Sequence, residues 1–211
     1  MIQNPSFNSI QKKVASYYSG KIGKYGSTPL GVDWNSWESQ KTRFDQLTRV
    51  IQKMDFFSIN DLGCGYGAFL EYLKSRYQSF SYEGYDISDS MISAARSKYF
   101  TEKENFKNTY SPSRVADYSI ASGIFSVCLD IDKVLWESYL YDYLDILNSH
   151  SRHGFAFNCL TSYSDREKMK NYLFYADPCK IFSHCKERYS HEVALLHDYG
   201  LYEFTIIVRK S

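Results

Sequence analysis

The sequence predicts a three-layer α/β fold built on a seven-stranded sheet, mostly parallel, with one antiparallel strand supplied by a hairpin at the carboxyl end. Three observations predict it. From residue 57 onward, short apolar runs alternate with amphipathic helical segments, the pattern of a parallel sheet covered on both faces. A glycine-rich turn, Gly63-Cys64-Gly65-Tyr66-Gly67, joins the first strand of that alternation to its first helix. The last two apolar runs are separated only by Asp198 to Leu201, close enough for a hairpin.

Each element follows from its own spacing. Ser6 to about Gly31 is polar, with Gly20, Gly23 and Gly26 breaking any strong period, and predicts a helix followed by an irregular, lid-like segment. Trp34 to Lys53 sets Trp37, Phe44, Leu47, Val50 and Ile51 at helical intervals, with Asp33 as the expected N-cap. Phe57 to Leu62 reads as the first strand, and Ala68 to Arg76 as a helix with Phe69, Leu70 and Leu73 on one face. Ser81 to Ile87 is the second strand, and Asp89 to Tyr99 a helix that turns Met91, Ile92 and Ala95 inward. Asn105 to Thr109 and Tyr118 to Phe125 are the third and fourth strands, Val134 to Leu147 a helix, and His153 to Leu160 the fifth strand. Asp165 to Tyr175 predicts another helix, and Glu192 to His197 with Tyr202 to Arg209 the closing hairpin. Residues 1–211 thus read as one domain, with 1–53 forming the lid and the helix behind it and 54–211 the core. If the first hairpin strand runs parallel with the others, its turn lies at their carboxyl ends, where ligands bind in open α/β sheets.

Composition bounds the partners. A chain of 211 residues is long enough to bury a core without disulfides, and a net charge of +1 with scattered basic residues shows no nucleic-acid footprint. No run approaches the ~20 apolar residues of a membrane span, and Met1 to Lys13 lacks the apolar centre of a signal peptide. The cysteines, Cys64, Cys128, Cys159, Cys179 and Cys185, form no CxxC pair and read as reduced thiols in a cytoplasmic protein. The expected partner is a small molecule, and a homodimer is compatible with the sequence. Twenty tyrosines suit pocket walls as well as cores, since each joins an apolar ring to a polar tip.

The chemistry is concentrated in the glycine turn. Gly63 and Gly65 admit torsions closed to other residues and remove the β-carbon that would keep a ligand away, while the following helix offers free N–H groups. At the end of the next strand stands Asp86, a carboxylate suited to the two ribose hydroxyls of an adenosine-type cofactor. The spacing is G-x-G-x-G after an acidic residue, Asp61, and residue 68 is alanine. That departs from the nicotinamide fingerprint, G-x-G-x-x-G.

Asp61 to Gly67 resembles the first motif of class I S-adenosylmethionine (SAM)-dependent methyltransferases, and Tyr85-Asp86-Ile87-Ser88 resembles their second. Gly31-Val32-Asp33-Trp34, Gly123-Ile124-Phe125, Phe157-Asn158-Cys159-Leu160 and His197-Asp198-Tyr199-Gly200 are similar to blocks in a group of small bacterial methyltransferases, many found among surface-polysaccharide or natural-product genes. The resemblance implies a Rossmann-like core with SAM as cofactor and S-adenosylhomocysteine as product. It implies that the loop of Asp61, Gly63, Cys64 and Gly65 holds the methionine end, Asp86 the ribose, and Ile87 and Met91 the adenine. Arg43 would pair with the methionine carboxylate, with Trp37 and Gln40 in the same cleft. Where the family often has an acidic residue after the third strand, this chain has Asn108-Thr109-Tyr110-Ser111, so an amide or hydroxyl is expected to replace it.

Methyl transfer from a sulfonium is an in-line displacement in which the protein aligns the reactants, excludes water and, for a hydroxyl, removes a proton. The expected base is His197, whose residue type titrates near neutrality, with Asp198 to orient it and Tyr199 beside it. Phe125, Asn158 and Tyr199 are the expected acceptor contacts, and a small polar acceptor, a hydroxyl on a sugar or other metabolite, is the expected substrate. All four prolines are isolated, so there is no Asn-Pro-Pro-Tyr motif for nucleobase amines. The cysteine and histidine spacing between Cys179 and His197 matches no zinc pattern, and no metal is expected. Two alternatives stay open: a nicotinamide-dependent oxidoreductase, and a SAM-binding module without turnover.

Overall fold

The computed structural model describes residues 5–52 and 55–210. Expectations that fall on Met1 to Asn4, on the boundary at residues 53 and 54, or on Ser211 lie outside the described residues. The elements in chain order are α1 (Pro5–Tyr25), α2 (Trp37–Leu47), β1 (Phe57–Leu62), α3 (Ala68–Arg76), β2 (Phe80–Asp86), α4 (Asp89–Lys98), β3 (Phe106–Asn108) and β4 (Ala116–Ala121). They continue with α5 (Lys133–Ser149), β5 (Ser151–Thr161), β6 (Tyr175–Ala176), α6 (Pro178–Arg188), β7 (Glu192–Leu196) and β8 (Glu203–Arg209).

The sheet runs in the order β3-β2-β1-β4-β5-β8-β7. Strands β1 to β5 pair in parallel, β8 is antiparallel to β5, and β7 is antiparallel to β8, so β7 points the same way as β1 to β5. The turn between β7 and β8 therefore lies at the carboxyl end of the parallel strands. All seven expected strands are present, and the two-residue β6 adds an eighth by pairing with the end of β5.

Alternation along the strands separates two cores. Phe57 and Ile59 of β1, Tyr118 and Ile120 of β4 and Ile207 of β8 face α2, α3 and α4. Leu62, Ala121, Phe157 and Phe204 face α5, α6 and the amino-terminal half of α1. Helix α5 buries Trp136, Tyr139, Leu140, Tyr143, Leu144 and Leu147, its i, i+3, i+4 stripe, each side chain contributing roughly 1.5–3 kcal/mol. The connection from β3 to β4, residues 109–115, contains no helix. Phe7, Ile10 and Val14 of α1 pack in that region against Tyr85, Tyr139 and Tyr143, with the half-buried Tyr110 beside them.

Three local expectations are corrected. Asp33 does not cap α2: Ser36 does, accepting from the Ser39 N–H at 3.2 Å. Asp33 instead sits at φ 64° behind the short 3-10 turn Pro29–Val32, and its carboxylate accepts from Tyr17 at 2.7 Å and Lys21 at 2.6 Å. The fourth strand stops at Ala121 rather than Phe125, because Gly123 at φ 76° turns the chain out of the sheet. Asp165 to Tyr175 is not a helix. Only Arg166–Lys168 forms a 3-10 turn, and Leu173 bridges to Val127, with the Phe174 N–H donating to the Ser126 carbonyl at 2.8 Å. The helix lies further on, at α6, where Asp177 caps the N–H groups of Cys179 and Lys180 and Pro178 occupies the first turn.

Candidate active site

The site begins where β1 ends. Gly63 stands at φ 73°, and a β-carbon there would lie 2.1 Å from Ile124 Cγ2, so both the torsion and the space demand glycine. The Gly63 and Cys64 N–H groups donate to the Tyr85 carbonyl at 2.7 and 3.1 Å, which ties the loop to the end of β2. Asp86 completes that tie. Its Oδ2 accepts from the Gly65 N–H at 2.9 Å and its Oδ1 from the Ser88 N–H at 2.8 Å. Burial pushes the Asp86 carboxyl up to about 6 despite these backbone donors. Asp61, at the end of β1, accepts from the Tyr82 hydroxyl at 2.8 Å, and burial pushes it up to about 7, with the Asp86 charge adding to the rise.

Above this loop opens a cleft of about 880 Å³, counting its mouth. Asp61, Gly63, Cys64 and Gly65 line it, as do Asp86, Ile87 and Met91 from β2 and α4. Val14 and Tyr18 of α1 and Val32 of the following turn cover it, and the Ser19 hydroxyl meets that of Ser88, the N-cap of α4, at 2.9 Å. Gln40 lines it as expected, its Oε1 accepting from the Tyr66 hydroxyl at 3.4 Å. Thr109 and Tyr110 reach it after β3, whereas Asn108 donates to the Asp86 carbonyl at 3.0 Å and does not line it.

Seven expected contacts lie elsewhere. Arg43 is buried, and its guanidinium is committed to Glu203 through Nε at 2.9 and 2.8 Å and Nη2 at 2.5 Å, and to the Ser39 carbonyl through Nη1 at 2.7 Å. Trp37 is 38% exposed and outside the cleft; Trp34, three residues earlier, occupies the wall instead. Phe125 is core, packed edge-on against Tyr143 and Phe157 while its carbonyl accepts the Trp136 indole N–H at 2.9 Å. Asn158 is fully buried behind the wall, accepting from the Gly123 N–H at 2.8 Å and donating to Glu203 at 2.5 Å. His197 and Asp198 are exposed in the turn after β7, and the hydroxyl of Tyr199 meets that of Thr205 at 3.1 Å. None of these three lines the cleft, because the hairpin adds two strands beyond β5 and carries its turn away from the β1–β4 crevice. The geometric footing for His197 as base is therefore missing.

The sequence reading missed Tyr18, Tyr139 and Tyr143. Their signal was present: Tyr139 and Tyr143 are one helical turn apart on the inward stripe of α5. Burial raises all three phenols, Tyr143 to about 12, so they act as neutral hydrogen-bonding groups. Ser122 also lines the cleft, and its hydroxyl is buried without a hydrogen-bond partner in the protein. Among the described residues no three His, Cys, Asp or Glu side chains converge as a metal site requires, and no helix is long and apolar enough to cross a membrane.

Comparison with known proteins agrees with this geometry. The family model described as "Methyltransferase domain" matches residues 59–149, the span from β1 through α5. A protein of Mycobacterium tuberculosis (strain ATCC 25618 / H37Rv), "Putative methyltransferase Rv1506c", is 53% identical over 164 residues, which covers 77% of this chain and 99% of that protein. Among solved structures, the DhpI–SAH complex superposes with a TM-score of 0.61 at 12% identity, covering 95% of this chain and 96% of the other. The plantazolicin methyltransferase BpumL, in complex with a monoazolic desmethylPZN analog and SAH, gives 0.57 at 13% identity, covering 97% and 99%. The glycine loop, its acidic partner and the sheet order point the same way as these likenesses: the chain belongs to the class I SAM-dependent methyltransferase family.

Proposed function

We propose that residues 1–211 act as one methyltransferase domain that binds SAM in the cleft over β1 and β4 and methylates a small polar acceptor on oxygen. One observation carries the cofactor assignment. The cleft floor is bare backbone at Gly63 and Gly65, flanked by the Asp86 carboxylate and by an orphaned buried hydroxyl, Ser122 Oγ. A ligand with a polar amino-acid end and a diol fits that set. The Gly63–Gly65 backbone, Gln40 and Ser122 would hold the amino-acid end, Asp86 the ribose diol, and Ile87, Met91, Thr109 and Tyr110 the adenine. When bound, SAM supplies a methyl group made electrophilic by its sulfonium. The protein's own part is alignment and exclusion of water, with Val14, Tyr18 and Val32 covering the cleft.

The oxygen acceptor is supported by the hydroxyl-bearing lining, Tyr18, Tyr110, Tyr139 and Tyr143, groups that can both donate to and accept from a neutral polar acceptor. No histidine lines the cleft, burial raises the Tyr18, Tyr139 and Tyr143 phenols, and the carboxylates Asp61 and Asp86 are engaged by Tyr82 and by the Gly65 and Ser88 N–H groups, so the acceptor proton leaves to water or to a group the acceptor itself brings. Enol and phenol hydroxyls meet that requirement better than a sugar hydroxyl.

Thermal unfolding with SAM, S-adenosylhomocysteine and NAD tests the cofactor. Ligand at about 100 times its dissociation constant stabilises by about 2.7 kcal/mol, a shift of roughly 5–10 °C for a domain of this size. A shift with the two adenosyl-sulfur ligands and none with NAD is expected; the reverse pattern would make the chain a nicotinamide protein. Turnover on a panel of phenolic, enolic and sugar hydroxyls then separates an enzyme from a binding module.

A further inference from the structure

We propose that Arg43, Glu203, Asn158, Gly123 and the half-buried Trp34 form a closed positioning ring that holds the cleft wall against the amino-acid end of the cofactor. The proposal rests on the cofactor reading above. Five separate pieces of chain meet in it: the segment before α2, α2 itself, the loop after β4, β5 and β8.

The ring can be followed bond by bond. Glu203, 1% exposed at the start of β8, accepts from Arg43 Nε at 2.9 and 2.8 Å and from Nη2 at 2.5 Å. Asn158 Nδ2 donates to the same carboxylate at 2.5 Å, and Asn158 Oδ1 accepts from the Gly123 N–H at 2.8 Å. Gly123 carries no side chain, and a β-carbon there would lie 2.1 Å from Trp34 Cζ2, so the indole rests directly on that backbone. The circuit closes because the Arg43 guanidinium carbon lies 3.8 Å from the centroid of the Trp34 ring. The Arg43 Nη1 bond to the Ser39 carbonyl, 2.7 Å, fastens the ring to the backbone of α2.

Two features make this a positioning device rather than a packing feature. Its hydrogen bonds are directional in only one sense: the Asn158 amide nitrogen faces a carboxylate and its oxygen faces an N–H, so neither can be exchanged. A well-packed apolar core would be as stable as a buried ion pair, so stability alone gives no reason for it. The ring also ends on the ligand side. Trp34, Gly123 and the adjoining Ser122 line the cleft, and Ile124 closes directly over Gly63, the first glycine of the loop. Arg43 thus acts on the amino-acid end through Glu203 and the wall.

The test compares two ligands that differ only beyond the sulfur: S-adenosylhomocysteine, which has the amino-acid tail, and 5′-methylthioadenosine, which lacks it. Binding is measured by calorimetry in the full chain and in the Arg43→Lys and Glu203→Gln variants. Each protein is labelled with 5-fluorotryptophan, the Trp34 resonance is assigned with Trp34→Phe, and Trp136 serves as the core reference. Both variants are expected to weaken S-adenosylhomocysteine about tenfold or more, with 5′-methylthioadenosine within about twofold. The Trp34 resonance should move and that of Trp136 should not. Equal weakening of both ligands, or of neither, would overturn the proposal. Should either variant fail to fold, the wild-type spectrum decides: Trp34 must respond to S-adenosylhomocysteine more than to 5′-methylthioadenosine, and an equal response overturns the ring's role. If the wild type binds neither ligand, the cofactor reading itself is overturned and the proposal with it.

Discussion

Asp61 and Asp86 stand at the ends of neighbouring strands and both resist ionisation, the first to about 7 and the second to about 6. Burial is the leading cause in each, so each costs the folded state stability once the unfolded carboxyl, at 3.8, would have ionised. For Asp61 that stability is lost as the pH rises from about 4 to about 7. Asp61→Asn keeps an acceptor for Tyr82 and should stabilise the fold at pH 8 by on the order of 1 kcal/mol or more, read as a higher melting temperature, while matching the wild type at pH 4. An equal offset at both pH values would count against the buried carboxyl. Asp86 reads differently, since in the proposed site its ionised form accepts from the ribose diol. Affinity for S-adenosylhomocysteine should fall as the pH drops through about 6. Asp86→Asn should flatten that dependence, and Asp86→Ala should cost about 1–3 kcal/mol of binding by calorimetry. Unchanged affinity in both would remove the ribose assignment. These two residues were legible because strand-end position and residue type suffice to place them. Arg43 was not: its helix was visible, but its partner Glu203 is 160 residues away and no spacing rule connects them.

Helices show the same division. The cofactor-side helices α3 and α4 were readable from their inward stripes, whereas α6 was displaced by a polar, helix-prone run at Asp165 to Tyr175. That run does not become a helix because its end, Tyr172 to Phe174, pairs with the segment after β4, tertiary bonds that override propensity. The Asp177-Pro178 pair was the local clue to α6, an N-cap followed by proline in the first turn. For α1, sequence showed a helix and lid-like chain but not what it covers. Phe7 packs its ring 4.7 Å from that of Tyr139 and 5.6 Å from that of Tyr143, filling the face beside the helix-free β3–β4 connection. Phe7→Ala is expected to destabilise by about 3 kcal/mol in urea titration and to speed amide exchange in α1 and in residues 109–115. Exchange rising evenly across the sheet would instead make α1 part of the global folding unit.

At the scale of the molecule, the sheet order decides which residues share a site. Ligand space opens between β1 and β4, and α1 and α5, far apart along the chain, both add tyrosines to it. The β7–β8 turn lies at the same end of the sheet, as its direction foretold, yet β8 and β7 stand outside β5 and leave His197 exposed. His197→Ala is therefore expected to leave both S-adenosylhomocysteine binding and turnover near wild-type values. A loss on the order of 100-fold in turnover, with binding intact, would restore it as the base. The glycine loop and Asp86 belong to a local strand–loop–helix, whereas the rest of the cleft lining is assembled from distant segments.

By itself the sequence determined the alternating α/β pattern, the seven strands, the glycine loop and its paired aspartates, because each is a local matter of periodicity, torsion and strand-end placement. The tertiary structure alone decided that Arg43 faces Glu203, that Trp34 rather than Trp37 forms the wall, and that Asn158 stands behind it. It also decided that four tyrosines from α1, α5 and the loop after β3 line the cleft. The physical reason is that a buried polar group must find its partner wherever the packed sheet brings one, and that partner's distance along the chain is set by topology and not by any local rule.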